Sequence, residues 1–158
     1  MTTANNCWLC IWLFLFLVTA WFMTKYVRES FTQTDPKIRE LKELVAPIFA
    51  PGQNYRGRLK SLNKRDILGE IQVMAGSSSY TLDKKKVYLC LFDEHGNYYD
   101  DNSLMYCFLH ELAHVINTTI GHDRNFEETF DELLVVAADH GIYDPSKPMV
   151  QNYCNYQK

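Results

Sequence analysis

Residues 104–116 form the stretch LMYCFLHELAHVI. It is apolar on nearly every side, which predicts a buried helix over roughly 102–117. His110 and His114 are four residues apart and therefore lie on one face of that helix. Glu111 directly follows the first histidine. Burying such polar groups without partners costs on the order of a few kcal/mol each, so these three side chains are expected to have a partner in the folded protein.

The pattern H-E-x-x-H at 110–114 indicates what that partner is. Each histidine can give one ring nitrogen to the same zinc ion, and Glu111 can act as a base on a water at that ion. Catalytic zinc usually has three protein ligands and a water, so a third ligand must come from outside the helix. His122 is the first candidate, because Gly121 before it permits a helix stop and a sharp turn.

Two carboxylates are the alternative third ligands. Glu127 and Asp131 are four residues apart and resemble the Glu-x-x-x-Asp arrangement of glutamate-type zinc peptidases. That class usually has a longer gap after H-E-x-x-H, which ranks His122 first. His95 and His140 are interpreted as ordinary loop or helix-end histidines.

The surroundings of the motif resemble the WLM and SprT metallopeptidase families. The shared features are H-E-L-x-H at 110–114, a short loop that ends in G-H-D at 121–123, and Phe126. The strand-like segment 87–92 is also similar to the core of WLM-domain proteins of large DNA viruses. Two features depart from the family pattern. The gap before the third histidine is longer than in cellular WLM proteins, and Glu127 stands where an aromatic residue often follows the phenylalanine.

The resemblance implies a zinc-dependent hydrolase that acts on protein or peptide substrates. The implied ligands are His110, His114 and His122, and the implied catalytic residue is Glu111. DNA-bound proteins are a further substrate class that the resemblance implies, although no segment directly supports a nucleic-acid site. The second hypothesis is a catalytically silent membrane or virion protein with a structural zinc. The presence of Glu111 favours the enzyme, because a structural site needs no base.

The remaining pattern predicts an α+β domain. Alternation over 66–74, and a hairpin formed by 80–82 and 87–92, predict a small antiparallel sheet beside the H-E-x-x-H helix. A second packing helix is predicted over 126–139, with Asn125 as its N-cap. A further helix is predicted upstream, beginning at the N-cap Asp35 and ending at Pro47.

An uncharged apolar run at 7–23 predicts an N-terminal transmembrane helix, with a cleaved signal peptide as the alternative. Its 17 residues extend roughly 26 Å as a helix, near the lower limit for crossing a bilayer. Lys25 and Arg28 follow, so the positive-inside rule predicts a single-pass membrane protein with a cytoplasmic C-terminal domain. The predicted parts are a lipid-contacting anchor at 7–24, a basic juxtamembrane helix and linker at 25–65, a zinc domain at 66–145 and a tail at 146–158.

Charge and cysteine usage complete this interpretation. Residues 1–65 carry 10 basic and 4 acidic residues, net +6, whereas 66–158 carry 6 and 15, net −9, which together give −3. A basic first part suits an anionic membrane leaflet, with a solvated linker as the alternative. Cys90, Cys107 and Cys154 form an odd, widely spaced set, which predicts no disulfide framework and a reducing compartment.

Overall fold

The structure is a computed structural model that describes residues 12–21 and 35–154. The chain divides into two compact units, Met1–Thr34 and Asp35–Lys158. In the first unit the described part is one helix, α1, over residues 12–21.

The prediction of an N-terminal transmembrane helix is wrong. The expected span was 7–24, of which 7–11 and 22–24 lie outside the described residues. Throughout the two described stretches, every helix is too short or too polar to cross a membrane. This finding overturns the single-pass membrane localisation.

The second unit has the expected α+β composition with a small sheet, and it begins at Asp35 rather than at residue 66. Its elements are α2 (Pro36–Phe49), a 3-10 helix (Gly57–Asn63), α3 (Ile67–Glu70), β1 (Gln72–Ala75), β2 (Tyr80–Leu82), β3 (Lys86–Leu89), α4 (Asp101–Ile116) and α5 (Arg124–Asp139).

The sheet is mixed, not antiparallel throughout as predicted. Its order is β1-β3-β2, with β2 antiparallel to β3 and β1 parallel to β3. The hairpin of β2 and β3 is therefore confirmed. The strand predicted over 66–74 begins instead as α3, because the side chain of Asp66 caps that short helix at the Gly69 amide. The chain then enters β1, and the hairpin folds so that β3 lies between β1 and β2.

Aspartates cap the three long helices of this unit. Asp35, Asp100 and Asp123 each accept a hydrogen bond from a backbone amide in the first turn of α2, α4 and α5. The cap of α2 is the predicted one, whereas α4 and α5 begin one or two residues earlier than expected. Pro47 does not end α2, which continues to Phe49.

Helix α4 lies at the centre of the core. It packs against the β2–β3 hairpin on one side and against α5 on another. Helix α2, which the sequence assigned to a juxtamembrane segment, buries its apolar side in the same core. The fully buried large side chains include Leu41, Ile48, Phe49, Leu62, Ile67, Leu89, Leu91, Leu104, Phe108 and Leu109. This packing fixes the part of α4 that carries the H-E-x-x-H motif.

The end of the described chain is fastened to the domain. Cys90 and Cys154 form a disulfide whose Cα atoms are 6.2 Å apart, contrary to the prediction of no disulfide. The hydroxyl of Tyr153 donates to the Cys90 carbonyl, and the Cys154 amide donates to the Tyr99 hydroxyl at 3.1 Å. The paired cysteines are 64 residues apart, so their spacing alone gave no sign of the pairing. The segment predicted as a tail is thus packed on the domain as far as residue 154.

Candidate metal centre

Three histidines bring their ring nitrogens together at one end of α4. The Nε2 atom of His122 lies 2.9 Å from Nε2 of His110 and 3.1 Å from Nε2 of His114. His110 and His114 are one helical turn apart, as predicted. His122 comes from the loop between α4 and α5, where Gly121 has a φ of 85° that favours glycine.

The alternative ligands do not join this group. In the described part of the chain, His110, His114 and His122 form the only group of three or more metal-ligating side chains that could hold an ion. Glu127 and Asp131 lie outside it, although both are on the adjacent helix α5.

The other two histidines lie elsewhere. His95 is in an exposed turn near Glu94. His140 caps α5, with its Nδ1 atom 2.9 Å from the Val136 carbonyl oxygen. The structure therefore separates them from the cluster, in agreement with their interpretation as ordinary loop and helix-end residues.

The donor set fits a zinc ion. Tetrahedral zinc with Zn–N bonds of about 2.0–2.1 Å places its nitrogen ligands roughly 3.3 Å apart, close to the observed separations. Burial lowers the pKa of His110 to about 4, with the neighbouring imidazoles of His114 and His122 adding to the effect. Burial, His122 and Lys84 also lower the pKa of His114. Both imidazoles are therefore neutral at pH 7, which is the form that binds metal.

Phe126 packs against all three imidazoles. Its ring centroid lies 4.9 Å from that of His110, 4.2 Å from that of His114 and 4.8 Å from that of His122. The side chain is almost completely buried in the first turns of α5. One aromatic residue therefore restricts the positions of all three rings. From the sequence, Phe126 was noted only as part of the WLM and SprT resemblance and of an apolar helix face.

A network of side chains holds the loop that carries His122. The Asn117 amide donates to the Thr119 hydroxyl at 2.8 Å, and that hydroxyl donates to Asp123 at 3.0 Å. Asn125 donates to the side-chain oxygen of Asn117. Because Asp123 also caps α5, the loop is tied to both helices that it joins.

Glu111 lies beside the histidine cluster and outside it. Its side chain is buried, and its Oε2 atom lies 2.8 Å from the hydroxyl of Thr81 on β2. Burial raises the pKa of Glu111 to about 7, partly offset by the Thr81 hydrogen bond. Thr81 was not predicted as a site residue, because it is 30 residues upstream and in a strand with no chemical motif.

The cluster opens into a pocket of about 670 Å³. Its walls come from β2, the hairpin turn, α4 and the loop of His122. The lining residues are Ser79, Tyr80, Thr81, Asp83, Lys84, His110, Glu111, His114, Thr119, Ile120, Gly121 and His122. The arrangement joins three imidazole nitrogen donors and one carboxyl group at the wall of a solvent-accessible space.

The chain has similar proteins in viruses. It is 39% identical over 146 residues to the uncharacterized protein 136R of Invertebrate iridescent virus 6, covering 88% of this chain and 81% of that protein. It is 45% identical over 100 residues to the uncharacterized protein 042R of Invertebrate iridescent virus 3, covering 63% of each. It is also 40% identical over 68 residues to the uncharacterized protein R325 of Acanthamoeba polyphaga mimivirus, covering 42% of this chain and 34% of that protein.

The chain therefore spans less than two thirds of the length of the last two relatives. No family model matches the sequence, and the WLM and SprT resemblance stays a prediction. No solved structure matches it either. Identity to 136R extends over most of both chains, and on that basis the protein belongs to the viral family that includes protein 136R of Invertebrate iridescent virus 6.

Proposed function

We propose that this protein is a zinc-dependent peptidase. His110, His114 and His122 hold the metal, and Glu111 is the general base. The observation that carries the proposal is the meeting of three Nε2 atoms with a buried carboxyl group beside them, at the wall of an open pocket. The WLM and SprT resemblance of the same residues agrees with it.

Each side chain has a distinct task in the proposed reaction. When bound, zinc would supply Lewis-acid chemistry of the kind that activates water and polarises a carbonyl group. The Oε2 atom of Glu111 accepts from Thr81, while Oε1 has no hydrogen-bond partner in the described part of the chain. Oε1 is therefore the oxygen that takes up a proton from water and returns it to the leaving amine.

The number of ligands favours hydrolysis over a structural metal. Structural zinc sites are usually closed by four protein ligands, whereas catalytic sites keep one position open. Among residues 12–21 and 35–154, no cysteine, aspartate, glutamate or further histidine joins the three imidazoles.

The pocket wall favours an extended peptide as substrate. Strand β2 lies at the edge of the described sheet and pairs with β3 alone. Its residues Tyr80 and Thr81 line the pocket, together with Ser79 just before the strand. An edge strand offers backbone amides and carbonyls with which an extended chain can pair.

Metal content and peptide cleavage test this proposal directly. The full chain is expected to bind one zinc and to cleave members of a fluorogenic peptide library. Glu111→Gln is nearly isosteric but cannot accept the proton. We therefore expect its rate to fall at least about 100-fold, with zinc content and melting temperature unchanged. Glu127→Gln, an exposed carboxylate on α5, is the matched control and should retain activity.

The third ligand is tested in the same assay. His122→Ala should lose zinc, whereas Glu127→Ala should keep it. Normal cleavage by zinc-loaded Glu111→Gln would overturn the mechanism. A wild-type protein that binds zinc but cleaves no peptide would instead support a structural metal.

A further inference from the structure

Thr81 is the only hydrogen-bond partner of the Glu111 side chain in the described part of the chain. Its Oγ1 atom lies 2.8 Å from Oε2 of Glu111 and 3.1 Å from the Glu111 backbone carbonyl oxygen. A hydroxyl has a single proton, so the two oxygens share one donor. The Thr81 hydroxyl thus contacts both the side chain and the backbone of Glu111.

Strand geometry fixes the direction of this hydroxyl. Thr81 is the middle residue of β2 and pairs with the buried Val87 of β3. Its neighbours Tyr80 and Leu82 are both more than 40% exposed. Because side chains alternate across a strand, Thr81 faces α4 while its neighbours face outward.

We propose that Thr81 is a positioning residue for Glu111, an inference that rests on the proposed peptidase function. A glutamate side chain rotates about several bonds, and a general base must lie within hydrogen-bond reach of the proton that it takes. The Thr81 hydroxyl holds Oε2, which directs Oε1 into the pocket. Losing this restraint displaces the base, and a displacement of about 1 Å is sufficient to slow an enzyme roughly 100-fold.

The competing explanation is that Thr81 only docks the hairpin on α4. Three substitutions separate the two roles. Thr81→Val keeps the branched shape and removes the hydroxyl, whereas Thr81→Ser keeps the hydroxyl. Thr129→Val is the matched control, because the Thr129 hydroxyl likewise donates to a helix carbonyl, that of Asn125, at 2.7 Å.

For Thr81→Val we expect a fall in kcat of roughly 10–100-fold with KM and zinc content unchanged. Thr81→Ser should restore kcat to near the wild-type value, and Thr129→Val should leave it unchanged. A second readout does not depend on turnover. The infrared carboxyl band of Glu111, identified by its absence in Glu111→Gln, should shift in Thr81→Val and not in the other two variants.

The outcomes distinguish this proposal from the proposed function. If the wild type cleaves peptides and Thr81→Val does so equally fast, Thr81 is not a positioning residue and the peptidase function stands. An unshifted Glu111 band in Thr81→Val overturns the positioning role even if no substrate is ever cleaved. Equal losses of activity in Thr81→Ser and Thr81→Val would assign Thr81 to hairpin docking. If Thr81→Val does not fold, Thr81→Ala is measured in its place by the same two criteria.

Discussion

The ammonium group of Lys84 donates a hydrogen bond to the backbone carbonyl of Asn117, the C-cap residue that follows helix α4. It also lies 3.3 Å from the carbonyl oxygen of Thr119. Lys84 is in the tight turn between β2 and β3, where it and Asp83 both have positive φ angles. A cation is favourable at a helix C-terminus, where carbonyl groups lack intrahelical partners. The hairpin is thereby fastened to the start of the loop that carries His122.

Lys84→Met is expected to weaken metal binding although it leaves all three histidines unchanged. Methionine keeps most of the aliphatic stem but cannot bond either carbonyl, so the His122 loop loses a restraint. We expect zinc affinity to fall about 10- to 100-fold, as for other residues that support metal ligands. The free energy of unfolding should fall by roughly 1–3 kcal/mol. Chelator competition and thermal melting measure the two effects. Lys85→Met is the control, and an equal loss of affinity there would contradict the role given to Lys84.

Phe126→Leu should separate metal affinity from general stability. The ring of Phe126 contacts all three imidazoles, so its replacement leaves them less restricted. Phe49→Leu is the control, because Phe49 is fully buried in α2. Both substitutions should cost on the order of 1–2 kcal/mol of stability. Zinc affinity, measured by calorimetry, should fall only in Phe126→Leu. The prediction fails if both variants lose affinity equally.

The disulfide should contribute strongly to stability, because it closes a long loop. Cys90 and Cys154 are 64 residues apart, and a loop of this length corresponds to about 4 kcal/mol in the chain-entropy model. We expect Cys154→Ser to lower the unfolding free energy by about 2–5 kcal/mol. Denaturant titrations with and without reductant provide the measurement. Reductant should destabilise the wild type and leave Cys154→Ser unchanged; a wild type insensitive to reductant would show that the bond does not form.

Cys107 should resist alkylation in the folded protein. Burial raises the pKa of its thiol to about 12. At pH 8 only about one thiol in ten thousand is then the reactive thiolate, against roughly a quarter in an unfolded chain with a pKa of about 8.5. Mass-spectrometric mapping after iodoacetamide treatment should find Cys107 labelled in denaturant and protected without it. Rapid labelling of the native protein at pH 8 would contradict this.

The raised pKa of the Cys107 thiol also makes the stability of the folded protein depend on pH. Its pKa is higher in the folded than in the unfolded chain, so the folded state keeps the proton to higher pH. The stability that depends on the neutral thiol is complete below about pH 8.5 and is lost as pH rises toward 12. Cys107→Ala should flatten this alkaline decline in melting temperature.

Local periodicity predicted the parts of the site that lie close together in sequence. His110 and His114 share a helix face regardless of the tertiary structure, and Gly121 indicates a turn before His122. The β2–β3 hairpin was also predictable, because it is a local structure. Capping was predicted less accurately, since Asp123 caps α5 two residues before the predicted cap residue Asn125, and both are residue types that favour the N-cap.

Features that depend on tertiary structure were not predictable. Thr81 and Lys84 have no motif, and only the docking of the hairpin on α4 brings them to the site. The Cys90–Cys154 pair depends on the path of the last residues. The parallel pairing of β1 with β3 could not be read from alternation, because alternation does not specify strand direction. The membrane helix was predicted from hydropathy alone, and none of the described helices is both long and apolar enough to cross a membrane.

The three nitrogens that we propose to bind the metal come from 13 consecutive residues, 110–122, whereas the hairpin residues that restrain Glu111 and the His122 loop are 30 and 33 positions upstream of their partners. Detaching the hairpin would therefore leave the proposed metal ligands on one continuous helix and loop. Partial openings of a protein can occur below the free energy of global unfolding. As denaturant is raised, turnover should cease at a lower concentration than metal release, with a metal-loaded but inactive state populated between the two.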